Sequence, residues 1–304
     1  MKRATRTAIK ITLVFLSSVF CLLSSAVAVL ASTTIDTNNA YAYGANIGWV
    51  NAFADGTNGA VMGQFYCMGY IYSANVGWIS LGNSNGPVNG YAYSNISSND
   101  WGVNNVGGSG QLSGYAYGAN IGWITFEQSY GMPQVNLLNG QMTGYAYSAN
   151  VGWISLSNFF AVLQTDTLSP GPLDKNGSGL PIAWEDYYFG TTNINPNADP
   201  DGDGMSNFQE YLAGTDPVNG SDYLHITAVR ADTIGNSATL TWTSKPSRLY
   251  LVEERTNLTF AAWATNVTLG VVSPDPGATT TRNLTDAPAT NRFFRVQAIN
   301  PLLP

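Results

Sequence analysis

Oxygen-bearing side chains crowd one stretch of the chain: Asp199, Asp201 and Asp203 alternate with Pro200 and Gly202, and Gly204, Met205, Asn207 and Glu210 follow. Counted from Asp199, carboxylates fall at positions 1, 3, 5 and 12, a glycine at 6, the Met205 backbone carbonyl at 7 and an amide at 9. Hard oxygen donors in that order, with a sharp turn at position 6, are what a twelve-residue loop uses to surround Ca2+. The same register recurs 25 residues upstream, through Asp174, Asn176, Ser178, Gly179, the Leu180 carbonyl and Glu185. This first loop has two carboxylates rather than four, and Ile182 stands at position 9, so weaker affinity is expected.

Each loop should run into a short helix. Pro181 starts one and Gly190 ends it; Ser206 caps the other and Gly214 ends it. No helix is expected ahead of either loop, because the Pro-rich run 169–172 and Asn195-Pro196 break the chain. Position 8 is Pro181 or Ser206 rather than the apolar residue through which paired EF-hands couple. The DPDGDGMSNFQEYLAGTDP run ending at Pro217 therefore resembles the loop-plus-one-helix repeats of dockerins and thrombospondin type 3 segments more than a full EF-hand. That resemblance implies Ca2+ as a structural cofactor that locks a connector in shape.

Other chemistry is sparse. His225 is the sole histidine, which excludes a two-histidine zinc site and leaves one residue for any Ser-His or Cys-His mechanism; as a strand residue it needs no such role. The acids between residues 32 and 160 are Asp36, Asp55, Asp100 and Glu127, and none recurs at equivalent places. A polysaccharide hydrolase would need two of them facing one another. The sequence identifies no catalytic residues, and a non-catalytic protein is expected.

Lys2, Arg3, Arg6 and Lys10 precede an apolar run from Ile11 to Leu30 that ends in small residues at Ala31, as in a secretory signal peptide. Export then places the protein outside the cell or on its surface, with no membrane contact after cleavage. The leader takes four of the twelve basic residues and none of the nineteen acids, leaving a net charge of −11. No Lys or Arg occurs between Ile11 and Asp174, so that region cannot carry a nucleic-acid footprint. Loss of Cys21 leaves Cys67 unpaired, which reads as a small buried hydrophobe.

Four near-identical segments organise residues 32–160. They run from Tyr41 to Trp49, Tyr70 to Trp78, Tyr115 to Trp123 and Tyr145 to Trp153, with a degenerate copy from Tyr91 to Trp101. Each reads as a strand through Tyr-x-Tyr, a tight Ala-Asn turn with Asn in the left-handed conformation, and a returning Gly-Trp strand. Another strand should precede the last copy at 135–138, before an Asn139-Gly140 turn. Alternation sends Val151 and Trp153 one way and Ile154 and Leu156 the other, so both faces are apolar. Stacked repeats of this length suggest a solenoid, prism or small propeller. The aromatics then form either a stacked structural core or a platform in which Trp49, Trp78, Trp123 and Trp153 carry sugar rings.

From residue 221 the chain alternates as in a β-sandwich, with Ala238, Leu240 and Trp242 on one face. The Leu240-Thr-Trp242, Tyr250-Leu-Val252 and Phe294-Arg-Val296 pattern resembles fibronectin type III domains, which implies a spacer or adhesive module. A mainly β protein is thus expected: signal peptide 1–31, aromatic repeat domain 32–160, calcium-binding connector 161–220 and sandwich 221–304. Its expected work is structural or adhesive, at a bacterial surface or matrix, with extracellular glycans or surface proteins as partners.

Overall fold

Each of the four aromatic repeats folds as one β-hairpin. In the computed structural model these are Ile35–Gly44 with Gly48–Asn51, Tyr70–Ser73 with Gly77–Ser80, Leu112–Gly118 with Gly122–Phe126, and Tyr145–Ser148 with Gly152–Ser155. The structure describes residues 33–171, 177–232, 237–256, 262–285 and 292–302. The proposed leader lies outside them, as do Asp174 and Asn176. No helix among the described residues is long and apolar enough to cross a membrane.

Consecutive hairpins pair edge to edge, and the last strand of the fourth returns to the first strand of the first. The eight strands therefore close into an antiparallel barrel, not the solenoid, prism or propeller that repetition suggested. Within a hairpin four or five residues pair, whereas between hairpins only one or two do, as in Asn51↔Tyr72 and Tyr147↔Thr125. Val103–Asn105 extends the third hairpin, and Leu163–Thr165 pairs with the start of Ile35–Gly44. The degenerate copy stays out of the ring: Tyr93 is buried, and Asn95 takes a left-handed turn beside the Ser97↔Asp100 bridge.

Inward positions carry small and branched aliphatics in cross-strand pairs: Ala42↔Val50, Ile71↔Ile79, Ala116↔Ile124 and Ala146↔Ile154. They line an apolar cavity of about 50 Å3. Cys67 is fully buried among them, and burial pushes its thiol up to about 12, which makes it inert. The Tyr and Trp residues point outward. Val151 does not follow Trp153 as simple alternation required, because it sits in the turn and folds inward. The left-handed residue is the glycine after it, at φ +78° for Gly152, and not the Asn of the Ala-Asn pair. The result is a three-residue hairpin loop closed by a left-handed glycine. The strand expected at 135–138 is reduced to Gln134–Val135 opposite Met142–Thr143, around the Asn139-Gly140 turn.

Two helices follow, α1 (Ile182–Phe189) and α2 (Asn207–Ala213), each ending on a left-handed glycine. Leu180, Trp184 and Tyr211 form their own small core. The C-terminal segment forms two sheets. One contains Ile226–Asp232, Ser237–Thr243 and Thr279–Leu284; in the other, Leu249–Arg255 pairs with Ala264–Thr265, Val271–Val272 and Phe293–Ile299. Ala238, Leu240 and Trp242 face Tyr250, Val252 and Ala298 across one apolar core. The chain is mainly β, as its alternating segments require.

Candidate functional site

The loop 199–210 is shaped by its own carboxylates before any ion is considered. Asp199 Oδ1 and Oδ2 accept from Gly202 N (2.8 Å) and Gly204 N (3.0 Å). Asp201 Oδ1 accepts from Asp203 N at 3.3 Å, and Asp203 Oδ1 accepts from Met205 N at 2.8 Å. Gly204 takes φ +96°, the left-handed turn that position 6 demands. Ser206 then caps α2, accepting from Gln209 N while its own N–H donates to Gln209 Oε1 at 2.8 Å. The Ser-x-x-Gln spacing announces this capping box in the sequence.

Asp199 uses both of its oxygens, but four other oxygens of the loop lack a partner. Asp201 Oδ2, Asp203 Oδ2, Asn207 Oδ1 and Glu210 Oε2 are buried atoms without a hydrogen-bond donor. Glu210 and Asn207 are 0% and 1% exposed. Asn207 is held by its other end, donating Nδ2 to Asn195 O at 2.9 Å. Ligand atoms of Asp199, Asp201 and Asp203 lie within 4.8 Å of one another. Burial, then the charges of Asp201 and Asp203, push the Glu210 carboxyl up to about 8; burial also raises Asp201. A buried carboxylate oxygen without a donor is costly, and a bound cation removes that cost. The Met205 side chain packs against the sandwich core, so the loop is anchored on that side.

The first loop differs at its far end. Glu185 is fully buried, but its oxygens accept from Asn193 N (3.2 Å) and Ile194 N (3.1 Å), so it ties α1 to the segment after it. Ser178 Oγ accepts from Leu180 N at 3.1 Å, Gly179 takes φ +78°, and the Leu180 side chain is buried in the connector core.

Contacts from both neighbours reach α2. Tyr211 Oη donates to Gln64 Oε1 of the barrel segment at 3.2 Å. From the sandwich, buried Arg248 donates to the last carbonyls of α2, Tyr211 O at 2.7 Å and Leu212 O at 2.8 Å. A guanidinium is well suited to the negative end of a helix. Tyr187 of α1 stacks on Tyr91 at 4.2 Å. Neither Gln64 nor Arg248 carries a local sequence signal, because each finds its partner across the fold.

On the barrel, Trp49, Trp78, Trp123 and Trp153 are between 45 and 50% exposed, and the eight Tyr of the Tyr-x-Tyr pairs are similar. The aromatics are thus not the core. Each indole touches two tyrosines, edge-on or tilted, as in Tyr43–Trp49 at 5.4 Å and 70° and Tyr147–Trp153 at 4.9 Å and 56°. Trp101 adds a perpendicular contact to Trp123 at 5.1 Å.

Around one end of the barrel the turn asparagines form a cycle. Asn75 donates Nδ2 to Ile47 O, Asn120 to Val76 O, Asn150 to Ile121 O and Asn46 to Val151 O, at 2.9 to 3.0 Å. Hairpins one and three pair Gly with Ile (Gly44 and Ile47, Gly118 and Ile121), while two and four pair Ser with Val (Ser73 and Val76, Ser148 and Val151). The exchange is steric, since a Cβ on Gly44 would lie 2.8 Å from Ile47 Cγ1.

Carboxylates of the barrel region are spent locally. Asp36, Asp55, Asp100 and Glu127 each accept from backbone N–H groups of their own loops. Those bonds hold Asp55 and Glu127 below the usual range, and Asp100 is also lowered, against its partial burial. Asp166 is raised by partial burial and by Asp36. His225 stacks on Tyr223 at 4.2 Å, with Nδ1 3.0 Å from Tyr223 O. No family model, curated protein or solved structure matches this chain.

Proposed function

We propose that this chain is an exported, non-catalytic adhesive or matrix protein in which one Ca2+ at the loop 199–210 braces the contact between barrel and sandwich. The observation that carries the proposal is the set of four buried, donorless oxygens on Asp201, Asp203, Asn207 and Glu210. A cation there neutralises the repulsion among the acids and fixes α2, the helix that Gln64 and Arg248 both contact. The resemblance to dockerin and thrombospondin type 3 loops points the same way, and the tail fits a fibronectin type III-like spacer. The first loop serves as a weaker second site or a structural turn.

Non-catalytic work is the better reading because the barrel-region acids Asp36, Asp55, Asp100 and Glu127 already serve as loop-closing acceptors. Titration calorimetry of the mature chain with CaCl2 tests the metal. One binding event is expected, with a dissociation constant on the order of 10⁻⁴ to 10⁻³ M, as for extracellular modules. Absence of binding heat together with an unshifted melting temperature overturns the assignment.

A further inference from the structure

We propose that the outer wall of the barrel binds neutral polysaccharide, with each of the four hairpins presenting one indole as a stacking platform. This rests on the adhesive reading above and names what the barrel adheres to.

The first support is an inversion of ordinary usage. The hairpins' inward positions hold mostly Ala, Val and Ile, with Leu, Met and a Phe completing the core, while twelve rings from the repeats line the solvent side, each 38 to 50% exposed. Contiguous apolar surface beyond a few hundred Å2 marks an interaction site on a soluble protein. The rings are also held in place. Every Trp lies opposite the second Tyr of its hairpin (Tyr43↔Trp49, Tyr72↔Trp78, Tyr117↔Trp123, Tyr147↔Trp153) and touches both tyrosines. A platform fixed before binding loses little entropy when a ligand arrives.

Polar spacing is the second support. Two residues after each Trp stands an uncharged hydrogen-bonding residue: Asn51, Ser80, Thr125 or Ser155. Each pairs across the seam with a tyrosine of the adjacent hairpin: Asn51↔Tyr72, Ser80↔Tyr117, Thr125↔Tyr147 and Ser155↔Tyr43. Asn51 Oδ1 already accepts from Phe53 N and Ala54 N, and Ser80 Oγ and the buried Ser155 Oγ donate to Gly82 O and Ser157 O, so the Asn51 amino group and the Thr125 hydroxyl are the polar groups left to donate beside the aromatic faces. A pyranose has the matching character, with an apolar C–H face for the ring and equatorial hydroxyls for the polar groups.

Charge selects among ligands. Residues 33–171 contain no Lys or Arg, so an anionic polysaccharide or an anionic membrane finds no counter-charge on this wall. Six of the eight hairpin strands, at four or five residues, also fall short of the roughly 9–11 that a bilayer-spanning strand needs, while Leu112–Gly118 has seven and Ile35–Gly44 ten. An uncharged glycan matches the electrostatics. The third hairpin should be the strongest subsite, because Trp101 meets Trp123 at 88° and adds a second wall.

Affinity electrophoresis of the mature chain tests this, in gels containing a soluble β-glucan, a galactomannan, a xylan or alginate, each with and without EDTA. Retardation is expected in at least one neutral gel and not in alginate. It should persist in EDTA, since the wall uses no metal ligand, so failure of the calcium reading leaves this test intact. Trp123→Ala and Trp101→Ala should weaken retention about five- to tenfold, the scale of one lost aromatic stack, and Trp49→Ala, Trp78→Ala and Trp153→Ala about two- to threefold. Thr125→Val keeps the rings and the fold and should weaken retention about twofold through its hydroxyl; circular dichroism checks every variant. Mobility unchanged in all neutral gels, retention that survives replacement of all four repeat tryptophans, or preferential binding to alginate or to phospholipid vesicles overturns the proposal.

Discussion

The barrel and the connector solve the same problem in opposite ways. Both bend the chain sharply and bring polar groups together, yet in the barrel each turn asparagine finds a carbonyl of the neighbouring hairpin. In the connector, four buried oxygens of one twelve-residue loop find no donor. A repeated segment can satisfy its polar groups with copies of itself, because every copy brings one donor and one acceptor. A run of carboxylates brings acceptors only, and its complement has to come from solution.

The largest expected effect lies on the connector side. Glu210→Ala should weaken Ca2+ binding by about 100-fold or more in calorimetry, since it removes the position-12 carboxylate that closes the loop. Saturation of the native site at a hundred times its dissociation constant should stabilise the chain by about 2.7 kcal/mol. EDTA should expose residues 160–220 to proteolysis while leaving the barrel resistant. Equal sensitivity of both regions would erase the contrast.

Acidity gives a second handle on the same difference. In the metal-free chain the native Glu210 carboxyl is pushed up to about 8, whereas an unfolded one titrates near its ordinary value of 4.5. Between those values the native state binds more protons than the unfolded state, so stability falls as pH rises from about 4.5 to 8. Thermal melts in EDTA should show that decline, and added Ca2+ should remove it by replacing the proton. A pH-independent melting temperature in EDTA would mean that Glu210 is not in the environment described.

Smaller effects are expected in the barrel. Gly44→Ser should cost about 1–3 kcal/mol, because the added side chain meets Ile47. Combining it with Ile47→Val recreates the second hairpin's turn and should recover at least about 1 kcal/mol as coupling in a double-mutant cycle. Simple additivity would show that the Gly–Ile and Ser–Val pairing is not steric. Smallest is Asn120→Ala, about 1 kcal/mol in denaturant melts. Asn75→Ala should cost less, because Ser73 Oγ also donates to Ile47 O, at 3.2 Å, whereas the third hairpin has Gly118 at that place. Equal losses would deny the serine any share.

What the sequence made legible follows range of interaction. The hairpins were readable because Tyr-x-Tyr, Ala-Asn and Gly-Trp lie within nine residues, and the twelve-residue acidic loop was readable for the same reason. Closure was not, because the seams rest on one or two residue pairs, and the copy ending at Trp101 looked like a fifth member. The inside and outside of the wall were ambiguous because Trp and Ile are both apolar, and left-handed Gly152 breaks the alternation that Val151 was assigned by. The roles of Gln64 and Arg248 at α2 depend on partners 147 and about 36 residues away, beyond any local pattern.

The alternation of turn types has a consequence for symmetry. Backbone and aromatic rings repeat every quarter turn, but the packing beneath the turns repeats only every half turn, as Gly–Ile, Ser–Val, Gly–Ile, Ser–Val. The unit that carries one of each is therefore a pair of hairpins. The two pairs begin at Tyr41 and Tyr115 and have internal offsets of 29 and 30 residues, so the ring is two matched halves joined by a longer insert. Exchanging one half for the other preserves the order of turn types round the ring, whereas shifting by a single hairpin puts every Gly–Ile turn where a Ser–Val turn stood.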